Sequence, residues 1–167
     1  MKELHIRKAK TDEYFIALNL LKEAAVWLKE RQINYWQSWL NPDENYKNWI
    51  KSGFNLGQFY FVEKNDEIIA MYRLQHDDEP FWGKRDDSAV YVHSLTTKRK
   101  LHGEQLGYSI LKIIEEIARQ DNRHYLRLDC GVDNKRLCQY YSNFGFKQTG
   151  TKVVNGSKEA LFEKDIR

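Results

Sequence analysis

Two cysteines and two prolines are all that this 167-residue chain contains of either. Cys130 and Cys138 lack the paired spacing of a zinc site, and two thiols build no disulfide framework, so a small disulfide-braced scaffold is excluded. Pro42 and Pro80 stand alone, without any proline-rich, glycine-serine or other low-complexity stretch. With no linker and no internal repeat, residues 1–167 read as one domain. No apolar run approaches the roughly 20 residues that a membrane span needs. The start, Met1-Lys2-Glu3-Leu4-His5, has none of the apolar character of a secretory signal, so a cytoplasmic protein with no membrane partner is expected. A large excess of one charge is missing too. Lys and Arg number 27 against 24 Asp and Glu, a net +3, with both signs interspersed. That balance argues against a nucleic-acid partner, which would draw basic residues onto one face.

What the chain does have is core material: 41% hydrophobic residues, 14% of all residues being aromatic. From Thr11 to Gln32 the residues Phe15, Ile16, Leu18, Leu20, Leu21, Ala24, Ala25, Trp27 and Leu28 recur at helical spacing. Asn41-Pro42-Asp43 reads as a turn into a second, short helix ending near Gly53. Two strands follow around a tight Lys64-Asn65-Asp66 turn, and "SAVYVHSL" is a third. Between them His76–Asp87 reads as a polar loop. Leu106, Ile110, Ile113, Ile114, Ile117 and Ala118 mark one face of a helix ending near Gln120. "HYLRLDC" is a strand, and "NKRLCQYYSNFGF" a short helix stopped at Gly145. Asn155-Gly156 joins a closing hairpin. Helices, an antiparallel meander, a strand-helix-strand-helix run and a hairpin make a mixed α/β fold with helices on both sheet faces.

The stretch "HSLTTKRKLHGEQLGYSIL", His93 to Leu111, places Lys98-Arg99-Lys100 just ahead of two glycines and a helix. The first N–H groups of a helix have no intrahelical partners, and the helix dipole adds about half a positive charge there. Gly103 and Gly107 would let a ligand approach the backbone closely. An anion site is one reading; a packed helix entry beside a solvated basic turn is the other. The spacing matches neither a phosphate loop ending in Gly-Lys-Ser/Thr nor a dinucleotide turn.

Taken with "NKRLCQYYSNFGF", the pattern resembles the GNAT superfamily of N-acetyltransferases. Asn134, Leu137, Tyr141, Gly145 and Phe146 fall on that family's second motif. In its loop motif, R/Q-x-x-G-x-G/A, Gly107 takes the second glycine, while His102 stands for the Arg or Gln and Gln105 for the first glycine. The resemblance implies a mostly antiparallel sheet with a parallel, splayed strand pair. It also implies acetyl-CoA as co-substrate, without a metal, and frequent homodimers. The backbones of Leu95, Thr96 and Thr97 would hold the pantetheine arm. Residues His102, Gly103, Glu104, Gln105, Leu106, Gly107 and Tyr108 would hold the pyrophosphate, helped by Arg99 or Lys100, and Asn134 would contact the coenzyme arm or fix its helix. Tyr141 would be the general acid that protonates the departing thiolate. His93, two residues before Leu95, would be the general base, as in the arylalkylamine members.

N-acetyl transfer needs an amine relieved of its proton, a stabilised oxyanion and a protonated leaving thiolate. A phenol of pKa about 10 can protonate a thiolate of about 8.5, and an imidazole near 6.5 suits the base. His93 can equally be a histidine satisfied within its strand, and Tyr141 a core ring. Cys130, in an apolar strand, reads as inert packing and not as an acyl-accepting nucleophile. Asp77, Asp78 and Glu79 beside His76 read as a solvated acidic loop rather than a metal site; they or Asp129 would attract a cationic acceptor. Trp27, Tyr35, Trp36, Trp39, Trp49 and Trp82 divide between core and acceptor pocket. The expectation is an N-acetyltransferase acting on the primary amine of a small molecule by direct transfer. The rivals are a non-catalytic acyl-CoA-binding module and an enzyme acting on a protein amine.

Overall fold

Ala17, Leu20, Leu21, Ala24 and Ala25 are buried at spacings of three and four residues, the stripe that one face of a helix presents. They belong to α1, Tyr14–Glu30, which follows a single 3-10 turn, Thr11–Glu13. Phe15, counted on that face in the sequence, points outward and is 55% exposed. The computed structural model of the chain describes residues 4–101, 103 and 105–167.

Helix α2, Glu44–Asn55, starts where Asp43 accepts the backbone N–H of Tyr46 at 3.0 Å. It runs through Gly53 instead of stopping there. A Cβ at Gly53 would lie 2.5 Å from the Phe59 ring and 2.8 Å from the Arg73 guanidinium carbon, so this glycine serves close packing within a helix. Strands β1 (His5–Lys8), β2 (Phe59–Lys64) and β3 (Glu67–Gln75) pair antiparallel in sequence. The β2–β3 turn holds Asn65 and Asp66 at φ 54° and 62°, the mirror-image turn that suits strand twist. Strand β1 was not legible in the sequence. It is four residues without an apolar alternation, fixed by register to β2 and by Arg7, which binds Glu63 at 2.7 Å and Glu13 at 2.8 Å.

A one-turn helix, α3 (Glu79–Trp82), interrupts the segment expected as a loop. Strand β4 (Ala89–Thr97), helix α4 (Leu106–Gln120), strand β5 (Tyr125–Gly131), helix α5 (Lys135–Phe144) and the hairpin β6 (Lys147–Val154) and β7 (Ser157–Asp165) complete the chain. The strands form a seven-stranded sheet in the order β1-β2-β3-β4-β5-β7-β6. It is mostly antiparallel. The parallel pair is β4 with β5, in register from Ala89↔Tyr125 to Tyr91↔Arg127.

Two compact units divide the chain, one formed by residues up to Leu74 with Ser94–Gly107, the other by Gln75–His93 with Tyr108–Arg167. The first is built on Leu20, Leu21, Ile50, Phe54, Phe59, Phe61 and Met71, with Trp39 buried beside them and Trp36 and Trp49 packed against the cluster. In the second, Trp82, Ala89, Tyr91 and Leu161 cluster. Arg127 of β5 is 1% exposed there, its charge met by Asp87 and by Glu163 at 2.8 Å, with the Tyr91 hydroxyl accepting a further hydrogen bond at 2.8 Å. Among the described residues no helix is long and apolar enough to cross a membrane.

Candidate active site

The end of β4 departs from regular strand geometry. Ser94 has φ 54°, a left-handed conformation that breaks the alternation of the pleat. Thr96 follows, 1% exposed, its hydroxyl donating to the Ser94 carbonyl at 3.0 Å, while Leu95 and Thr97 are half-buried. The chain then makes a 3-10 turn, Arg99–Leu101. Gly103 has φ 96°, and no heavy atom lies within 4 Å of where its Cβ would be. Gln105, which replaces the first motif glycine, also holds a left-handed φ of 53°. That conformation suits glycine and costs another residue of order 1 kcal/mol or more, so the loop keeps the glycine geometry without the glycine. Leu106 and Gly107 open α4. Tyr108 is half-buried, its ring 4.8 Å from that of Phe144. His102 and Glu104 lie outside the described residues.

The lysines of the basic run are paired within the fold. Lys98 and Lys100 both bind Glu67 Oε1, at 2.8 and 2.7 Å, and together hold its carboxyl down at about 2. Arg99 places its guanidinium 5.1 Å from the Trp27 ring centre, and its backbone N–H donates to Glu23. A carboxylate 31 residues upstream of Lys98 pairs with both lysines, and no local pattern announces that.

The second motif is a ten-residue helix with a stop at each end. Asn134 caps the start of α5 by accepting the Leu137 N–H at 3.2 Å. Gly145, at φ 107°, ends it, and the Phe146 N–H returns to the Tyr141 carbonyl at 3.1 Å. The spacing from Asn134 to Gly145 therefore encodes helix length. Asn134 is engaged as the helix cap through its side-chain oxygen. Tyr141 is 8% exposed, against Phe146 and Phe162. Burial, then the neighbouring Cys130 and Asp129, push its hydroxyl well above the ordinary tyrosine range, so it holds its proton. Burial likewise pushes up the Cys130 thiol, whose sulfur lies 3.6 Å from that of Cys138. A thiol kept protonated is a poor nucleophile, in line with a packing role.

His93 sits between two carboxylates. Its Nε2 is 2.9 Å from Asp78 Oδ2 and its Nδ1 is 3.8 Å from Asp129 Oδ1. All three side chains are nearly out of solvent, at 11% for His93, 6% for Asp78 and 9% for Asp129. The Phe81 ring lies 5.4 Å from the imidazole. Burial raises the Asp129 carboxyl to about 7, the Glu159 and Asp78 carboxylates add to this, and the attraction of His93 opposes it. Asp78 is where the solvated-loop expectation fails. Asp77 and Glu79 are exposed, but α3 turns Asp78 inward as its first cap residue, with the Trp82 N–H on the Asp78 carbonyl at 2.8 Å. The signal was present in "DDEPFW", since a proline in the first turn after an aspartate marks a helix start.

The profile of the Acetyltransferase (GNAT) family matches residues 25–146. The chain is 28% identical over 152 residues to an uncharacterised N-acetyltransferase, YesJ, of Bacillus subtilis (strain 168), covering 88% of this chain and 82% of that protein. A GNAT-family acetyltransferase from Listeria monocytogenes 4b F2365 superposes with a TM-score of 0.78 at 24% identity, over 97% of this chain and 94% of the other. The aminoglycoside acetyltransferase AAC(6′)-Ib, solved in complex with coenzyme A, superposes with a TM-score of 0.74 at 15% identity, over 98% and 95%. At those identities the two superpositions speak for the fold. Together with the profile match across most of its length, they place the chain in the GNAT family of acetyltransferases.

Proposed function

We propose that this chain is one acetyltransferase domain that moves the acetyl group of acetyl-CoA directly to a primary amine of a small molecule, in a ternary complex. The observation that carries the reading is the largely buried His93 on β4, two residues before Leu95, held by a carboxylate at 2.9 Å. An imidazole so placed can take a proton and be stabilised as a cation. In the reaction the amine nitrogen bonds to the thioester carbonyl carbon and the carbon–sulfur bond breaks. His93 receives the amine proton, and Tyr141 donates its hydroxyl proton to the departing thiolate. The backbone groups of Leu95, Thr96 and Thr97 would orient the thioester, and the His102–Tyr108 segment with the start of α4 would hold the pyrophosphate. The coenzyme complex of AAC(6′)-Ib, a protein of the same fold, supports acetyl-CoA as the donor.

Thiol release from acetyl-CoA across a panel of small amines, amino acids and aminoglycosides tests the activity. Tyr141→Phe should keep acetyl-CoA affinity and lower turnover at least tenfold; unchanged turnover would remove Tyr141 from the mechanism. Initial rates that intersect as both substrates vary fit direct transfer, whereas parallel lines would indicate an acetylated enzyme. Coenzyme binding without thiol release from any amine would favour a binding module over an enzyme.

A further inference from the structure

We propose that Asp78 is the positioning residue of the reaction: it fixes the tautomer of His93 and stabilises the imidazolium that forms. The proposal rests on the reading of His93 as base. With the Asp78 carboxylate accepting from Nε2–H at 2.9 Å, Nδ1 is left with the lone pair. That nitrogen faces Asp129, whose carboxyl oxygen is 3.8 Å away, too far for a direct hydrogen bond. The nitrogen able to accept the amine proton is thus the one turned away from Asp78. Once Nδ1 takes that proton, the Asp78 carboxylate stabilises the imidazolium. His93 returns to its neutral form when Nδ1 gives the proton up to water, with Nε2–H still held by Asp78. No atom other than the proton is transferred, and charge is conserved between the amine and His93.

Asp78 is 6% exposed and lies beside a groove of about 240 Å³ lined also by Asp77, Glu79, Lys84 and Arg85. Among the described residues, the charged groups arranged around the imidazole are Asp78, ahead of α3, Asp129, on β5, and Glu159, on β7, which acts on Asp129. Asp78 favours imidazolium over imidazole, and Asp129 does so once it ionises, above about pH 7.

The same three side chains place ligand-type atoms of Asp78, His93 and Asp129 within 4.8 Å of one another, which also describes a metal site. A metal ion binds one imidazole nitrogen. Here the two carboxylates approach opposite nitrogens, and one is already at hydrogen-bond distance, which is the arrangement of an oriented base.

The experiment compares the pH dependence of kcat/KM for wild type, His93→Ala, Asp78→Asn and Asp78→Glu, using whichever amine supports thiol release. Asp78→Asn removes a negative charge beside the imidazole and lowers the pKa of His93. Its acid limb should therefore move to lower pH, with kcat down roughly 100-fold and the amine KM within about threefold of wild type. Asp78→Glu should recover part of that loss, which a merely structural role would not require. If His93→Ala abolishes the limb and Asp78→Asn neither moves it nor slows turnover, His93 remains the base and Asp78 has no part in positioning it. If His93→Ala leaves the limb in place, the base reading falls, and this proposal with it. Should Asp78→Asn not fold, nitrogen-15 NMR of wild-type His93 decides: protonation at Nε2 is expected, and a proton resident on Nδ1 overturns the assignment.

Discussion

Asp129 sets up a conflict between stability and activity that pH can expose. Its carboxyl rises from an ordinary 3.8 to about 7, chiefly because burial disfavours the charged form. Between those values the folded chain keeps a proton that the unfolded chain has released, so the native state binds more protons and stability falls as pH rises. Below about pH 4 both states are protonated and the group contributes no difference. Above about pH 7 both are ionised and the full cost of burying the charge is present. At 1.36 kcal/mol per pH unit, the gap is worth about 4 kcal/mol. Asp129→Asn keeps the shape and removes the ionisation. The variant should match wild type in pH dependence below pH 4 and gain on it steadily toward pH 8, by an amount on the order of 4 kcal/mol. Urea unfolding of both proteins at pH 4, 5, 6, 7 and 8 measures this, and taking the difference cancels every titration the two share. A difference that stays flat across that range would refute the assignment of a buried, proton-holding carboxyl. Thiol release by the same variant should drop, because Nδ1 of His93 loses the carboxylate facing it.

Three further outcomes follow from the packing and the charges. Gly53→Ala forces a methyl group to 2.5 Å from the Phe59 ring, and neither that ring nor Arg73 can yield, since Arg73 is 3% exposed and holds Gln58 and the Trp49 carbonyl. Overpacking of about 1–3 kcal/mol outweighs the roughly 1 kcal/mol that alanine gains in a helix, so thermal unfolding should show a melting temperature lower by several degrees. Arg127→Ala leaves Glu163 without this cation and Asp87 with only Arg85, at 3.6 Å, and should cost about 3–5 kcal/mol in chemical denaturation. Glu67→Gln releases Lys98 and Lys100, so acetyl-CoA binding by calorimetry should tighten about two- to fivefold at low salt and revert at high salt. Unchanged affinity would mean that the basic run does not sense the coenzyme.

Local physics made much of this fold readable in advance. The period of α1, the capped helix from Asn134 to Gly145 and the Asn155-Gly156 turn each depend on neighbours within a dozen residues. Their signals therefore sit in short windows of sequence, and Asn155 and Gly156 do adopt left-handed values of 49° and 78°. The motif residues Tyr141 and Gly145 were legible for the same reason, because one short helix sets their spacing. Distant partners decided the rest. Strand β1 exists because β2 offers it a register, and Gly53 is helical because Phe59 and Arg73 need the room. The lysines of the basic run pair with Glu67, at the start of β3. The sequence by itself determined the order of the longer elements, without β1 and α3, the two motifs and the candidacy of His93. Only the tertiary structure decided that Asp78 and Asp129 flank that histidine. They come from chain positions 15 residues before it and 36 after it, and burial and pairing at such separations leave no periodic trace along the chain.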